Sequence, residues 1–421
     1  MFRKLKLVLL VGVCATWLPA MVGTASADET FEKSSTITAV STKSFDIGFV
    51  DPVAGVYVLA DRTNKAIDVI DTRTNELTNQ LKPGFQGAVP FTAAECQAMN
   101  PPKTFPCGNN NDVSGPDGVL IVNHTEVWVG DGNSTVWVLQ LHNGDVKAKI
   151  STALNGPGTD RTRADELCYD ANDHIIMMAN DASSPSPFVT FISSTHFAVL
   201  GHIVMDGTKG APTATNGIEQ CQWSPRTGKF YINLPQTGDA GLVLVIDPVS
   251  EKIEQTWSVV GTGCSLPQGM AIGPTNQILL GCNGAASASL IINEDPTKST
   301  INVLHTLTNM GGNDQVWFNA GDDQYFLANS TAGLLGVADP DGSQDTPFAS
   351  TLGGSHSVAV DPVRNQVYVP FNDGTGIGVY TAVGTDDPSI CVGQGVPTMS
   401  VPEGTGDPAL LHVVCPPRGN H

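Results

Sequence analysis

The sequence predicts an all-β fold: a seven-bladed β-propeller of four-stranded antiparallel blades, closed by a strand from the N-terminus. Three observations predict it. One phrase recurs seven times: a polar residue, an alternating strand, a tight turn, then further β-rich strands. The leading polar residues fall at positions 46, 117, 166, 219, 268, 314 and 356. The resulting steps of 71, 49, 53, 49, 46 and 42 residues lie, after the first, near the ~40–50 residues of one blade. Finally, 44 Gly and 28 Pro are spread along the chain, and helical periodicity is almost absent. One closed ring therefore accounts for a length that would otherwise suggest two or three domains.

The elements follow in order. The first copy reads Phe45-Asp46-Ile47-Gly48-Phe49-Val50-Asp51-Pro52, then Val56-Tyr57-Val58-Leu59-Ala60-Asp61, then Ile67-Asp68-Val69-Ile70-Asp71. An insertion at 83–113 stretches the first step; it carries Phe85, Phe91 and Phe105 and is expected to lie over the ring's face as a lid. Five further copies lead with Asp117, Glu166, Glu219, Gln268 and Asp314. The seventh runs from His356 through Asp361-Pro362 and Val367-Tyr368-Val369 to Ile377-Gly378-Val379-Tyr380. It supplies three strands, so the β-rich stretch Ser34 to Val40 is expected to add the fourth and remove the open edge. The propeller thus spans 28–385, followed by a tail at 386–421.

Val56-Tyr57-Val58, Val367-Tyr368-Val369, the two Asp-Pro pairs and Ile67-Asp68-Val69-Ile70-Asp71 resemble the YVTN-type propeller repeat family over roughly residues 45–380. The resemblance implies the propeller. It leaves function open, because similar proteins include lactonases, lyases, partners of cofactor-bearing subunits and surface proteins.

Residues 1–27 read as a secretory leader: Arg3, Lys4 and Lys6, an apolar run from Leu7 to Val13, and Ala25-Ser26-Ala27 before the cut. Its loss removes three basic residues and one cysteine. The mature chain then has 394 residues, a net charge of −23 and eight cysteines. A periplasmic or secreted monomer is expected. Such a negative surface argues against nucleic acid, and no later apolar run is long enough for a membrane span. An even cysteine count in an exported chain reads as disulfides, with Cys96–Cys107, Cys168–Cys221, Cys264–Cys282 and Cys391–Cys415 as the local pairing.

The seven leading residues should form a ring at one end of the channel: Asp46, Asp117, Glu166, Glu219, Gln268, Asp314 and His356. Five carboxylates in seven places suit a hard cation, Ca²⁺ or Mg²⁺. The layout is similar to the metal centres of six-bladed lactonases, by analogy only. Glu219, Asp46 and Asp314 are the expected metal ligands, and His356 and Glu166 the expected acid–base pair. Arg161 and Arg163, with Asp117 and Gln268, are the expected substrate contacts. No nucleotide, haem or flavin motif occurs. Two readings stay open: a divalent-metal-dependent lactone hydrolase or ring-opening lyase acting on a small molecule, and a non-catalytic propeller that binds a protein or glycan partner.

Overall fold

The computed structural model describes residues 30–237, 240–284, 287–344, 349–351, 354–383, 398–400 and 412–414. Seven four-stranded antiparallel sheets form a ring. Their innermost strands are Gly48–Asp51, Val119–Val122, Leu167–Asp170, Cys221–Ser224, Pro267–Ile272, Asn313–Asn319 and Ala359–Asp361. In blade 1 the chain continues outward through Val56–Asp61, Ala66–Asp71 and Glu76–Leu81. The middle strands are apolar on both faces because each sheet is covered by its neighbours, and Val58, Leu59, Ala60, Ile67 and Ile70 are fully buried. The outer strand, with one face in water, carries Glu76, Thr78 and Gln80.

The core therefore lies between blades. Met177, Phe191, Trp223, Phe230 and Leu244 pack blade 3 on blade 4. Tyr57 and Tyr368 stack at 4.7 Å across the junction of blades 1 and 7. Closure is by the N-terminal strand: Thr30–Ile37 pairs antiparallel with Ile377–Val383 and completes blade 7. The strand lies about four residues earlier than the expected Ser34–Val40. After Ile37 the chain leaves the sheet: Val40 tucks into the core, and the Thr42 hydroxyl donates to the carbonyls of Phe371 (2.7 Å) and Gly376 (3.0 Å).

The disulfides Cys96–Cys107, Cys168–Cys221 and Cys264–Cys282 form as expected. The leader and the Cys391–Cys415 pair lie outside the described residues. Within the tail, Thr398–Ser400 pairs with His412–Val414. Among the described residues no helix is long and apolar enough to cross a membrane.

The 83–113 insertion holds a short helix, Ala93–Ala98, closed at its start by a capping box between Thr92 and Glu95. It rests on the ring's face. Gln86 N–H donates to Asp131 (3.1 Å), Ala88 N–H to the Arg62 carbonyl (3.1 Å), and the Arg163 N–H to the Asp112 carbonyl (2.8 Å). Phe85 is buried against Trp137 at 6.1 Å and belongs to the core. Phe105 is exposed, so the three phenylalanines do not act as one aromatic cover.

Candidate functional site at the ring end of the channel

The backbone register defines the ring. Asp46 N–H donates to the Ala60 carbonyl, Asp117 to Gly130, Asp165 to Ala179 and Glu219 to Asn233, all at 2.8–2.9 Å. Asp165, not Glu166, therefore occupies the ring position in blade 3. Glu166 sits one residue further along the inner strand, level with Gln220 and Gln315. Blade 2 makes room for this: a Cβ at Gly118 would lie 2.2 Å from the Asp165 carbonyl oxygen.

The acids then divide into two clusters. In each, one carboxylate oxygen per residue lies within 4.8 Å of the others: Asp46, Asp117 and Asp165 in one, Glu166, Glu219 and Asp314 in the other.

The first cluster carries its own cations. Arg62 is 2% exposed; its Nε donates to Asp117 Oδ1 at 2.8 Å, and its Nη2 contacts both Asp46 and Asp117. Arg163 Nη2 lies 2.8 Å from Asp165 and 2.7 Å from Asp181, and Nη1 lies 3.7 Å from Asp46. Burial opposes ionisation of Asp46, but Arg62, His356 and Arg163 overcome it and hold its carboxyl well below the usual range. Asp117 and Asp165 go the other way: burial and neighbouring acids push them up despite the arginines. His356 places Nε2 3.3 Å from Asp46 Oδ1 and stacks flat on Phe45 at 4.8 Å.

The second cluster has no cation within ion-pair distance among the described residues. Gln268 Nε2 donates to Glu219 Oε1 at 3.0 Å, and the Gln268 oxygen is itself held by Asn283. Glu166 is 6% exposed and, among the described residues, its carboxyl accepts no hydrogen bond. Burial, then Asp314 and Glu219, push its carboxyl well above the usual range. Burial and the acids Asp181 and Asp314 do the same to Glu219, and burial raises Asp314.

Its level in the channel makes Glu166 unusual. Gln220 Oε1 accepts from Met270 N–H (2.7 Å) and Val316 N–H (3.3 Å). Gln315 Oε1 accepts from the Ser357 hydroxyl (2.6 Å) and Val358 N–H (3.1 Å), and Nε2 donates to the Gly48 carbonyl (2.9 Å). These two amides satisfy inner-strand backbone groups across the channel. Blade 3 puts a carboxyl at the same level and gives it no such task.

The expected site residues are thus redistributed. Glu219 and Asp314 stand together with Glu166. Asp46, expected as a metal ligand, lies in the arginine-filled cluster, and Asp117, expected to meet substrate, is buried under Arg62. Gln268 braces Glu219. Arg163 is committed to internal acids, so it does not offer a free guanidinium to a substrate carboxylate, and Arg161 is exposed. Arg62, Asp181, Gln220 and Gln315 were not anticipated. Arg62 and Asp181 each directly follow the end of a second strand, Asp61 and Asn180, and an arginine at that place in so acidic a chain was the available signal.

No protein-family model matches the chain, and no curated protein matches it. Solved structures do. A chain of the mitotic checkpoint complex is 9% identical, with a TM-score of 0.57 over 90% of this chain and 99% of that one. A chain of Kuenenia stuttgartiensis hydrazine synthase is 11% identical, with a TM-score of 0.60 over 83% of this chain and 97% of that one. Likeness at such identity shows the seven-bladed propeller and nothing finer; the YVTN resemblance has no family match behind it.

Proposed function

We propose that this is an exported propeller whose channel binds a divalent cation through Glu166, Glu219 and Asp314 and uses it to hydrolyse or ring-open a small lactone-like molecule. The observation that carries the reading is the contrast between clusters: among the described residues, three close carboxylates without a counter-ion, one of them buried and unpartnered, stand beside three that have two arginines. Buried acids in that state either stay protonated or find a cation. The donor set fits a hard cation, since oxygens held at roughly 2.4 Å on opposite sides of Ca²⁺ are about 4.8 Å apart.

The cation, when bound, supplies Lewis acidity to a carbonyl oxygen. The chain's own residues do the rest. Gln268 orients Glu219, while Asp46 orients the His356 ring, and His356 takes the proton from an attacking water or from the substrate carbon. The 83–113 insertion shelters this end of the channel from bulk water. The leader and the three disulfides support export to an oxidising compartment.

Metal analysis of purified protein tests the cation. The expected result is one Ca²⁺ or Mg²⁺ per chain, with affinity falling at least tenfold in Glu166→Gln and in Glu219→Gln. A metal-free protein whose melting temperature ignores both chelator and added Ca²⁺ would sink the cation reading. For the chemistry, a lactone panel compares wild type with His356→Ala. A bound cation with no turnover of any lactone leaves a binding propeller, not an enzyme.

A further inference from the structure

Beneath the ring, a cavity of about 120 Å³ follows the inner strands from Glu166 to the turns at Pro52 and Pro362. It lies in the half of the channel away from the ring face. Five aromatic residues line it: Phe49, Tyr169, Trp223, Trp317 and Phe318. Among the described residues, no lysine, arginine or histidine does. Of the polar residues at its inner end, Gln220 and Gln315 spend their amides on backbone groups. Glu166 is the one carboxyl in the lining, and it is the buried carboxyl that accepts no hydrogen bond.

An aromatic-walled cavity with one buried, unpartnered carboxyl at its end is the chemistry that recognises an organic ammonium ion. Aromatic faces attract a cation at little desolvation cost, and the carboxylate supplies the charge-assisted hydrogen bond. A volume near that of cavities that admit benzene limits the apolar part to about one ring. The chain's net charge of −20 raises the local concentration of cations and lowers that of anions.

The geometry points to a binding site for a small aryl- or alkylammonium ion in the lower channel, with its ammonium on Glu166 and its apolar part among Phe49, Trp223 and Trp317. The site shares Glu166 with the proposed cation but does not require the cation, and Glu219 and Asp314 are not part of its wall.

The test is calorimetric titration of the full chain in EDTA with three probes of one shape: benzylamine, benzyl alcohol and benzoate. Benzylamine is expected to bind about tenfold or more tightly than benzyl alcohol, and benzoate not at all. Glu166→Gln should bring benzylamine down to the level of the alcohol while leaving the alcohol unchanged. Glu219→Gln should leave the preference intact, so a failed cation reading and a failed amine site give different patterns. Val360→Phe, which narrows the cavity without touching the carboxyl, should weaken both ligands alike. Equal affinity for amine and alcohol, a preference that survives Glu166→Gln, or no benzylamine binding at 10 mM or so would each overturn the assignment.

Discussion

Two triads of acids share one end of one channel, and they differ in what surrounds them. Asp46, Asp117 and Asp165 close around Arg62 and Arg163, and His356 joins at the edge. Glu166, Glu219 and Asp314 fall within the same 4.8 Å limit, and among the described residues no cation lies within ion-pair distance of them. The first triad is a finished structure: each of its three acids meets one of two arginines packed against it. The second leaves negative charge, or protons held at raised pKa, facing open space. Density of acids along a ring therefore says little by itself. What separates a structural hub from a binding site is whether the chain supplies the counter-ion.

Breaking the finished triad should have the largest effect. Arg62→Met leaves Asp46 and Asp117 buried against each other with only Arg163, 3.7 Å from Asp46, to offset them, which costs about 3–5 kcal/mol for a buried pair broken on one side. Denaturant unfolding should show that loss. Glu166→Gln, measured the same way in chelator at neutral pH, should be neutral or stabilising, because it removes a buried carboxyl that has no partner. Equal losses in the two variants would erase the distinction between the triads.

Much of the fold was legible in the sequence because a repeat announces itself many times. Seven copies outvote any local irregularity, and the three described disulfides followed from the map. The site was less legible because register errors of one residue do not spoil an alignment of blades. Asp165 and Glu166 are adjacent acids, and the choice between them depends on which N–H pairs with Ala179. The closing strand slipped for the same reason: Thr30 to Val40 is polar and β-rich throughout, and its end is set by Thr42 capping two carbonyls far along the chain. Arg62 and Arg163 decide the character of the first triad, and no spacing rule tells where a long side chain will turn.

The Cys168–Cys221 bridge tests the second triad at one remove. Its half-cystines stand two residues beyond Glu166 and Glu219, so it ties together the strands that carry them. Replacing both cysteines with alanine should cost about 2–4 kcal/mol of stability through the longer freedom of the unfolded chain. If the bridge also holds the carboxylates at cation spacing, Ca²⁺ affinity should fall in that variant while the Arg62 triad remains intact. Unchanged affinity would confine the bridge to stability.

The smallest effect per group, and the most discriminating, is pH. Burial raises Glu166 above its unfolded value, so the folded protein holds that proton after the unfolded chain has released it. Its contribution to stability is present below about pH 4.5 and is lost as pH rises toward the folded value. Asp46 is lowered, so its contribution is complete above about pH 4 and is lost only as pH falls further. Melting temperatures across pH 4 to 8 in chelator should therefore show Glu166→Gln gaining on wild type as pH rises. Asp46→Asn should show a deficit that stays constant over the same range. Millimolar Ca²⁺ should reverse the first trend, because cation binding replaces the protons at Glu166 and Glu219 and tightens as pH increases. The second should not respond, since Arg62 and Arg163 already occupy the place a cation would take. A Ca²⁺ response of equal size in both variants would mean that the two triads act as one site.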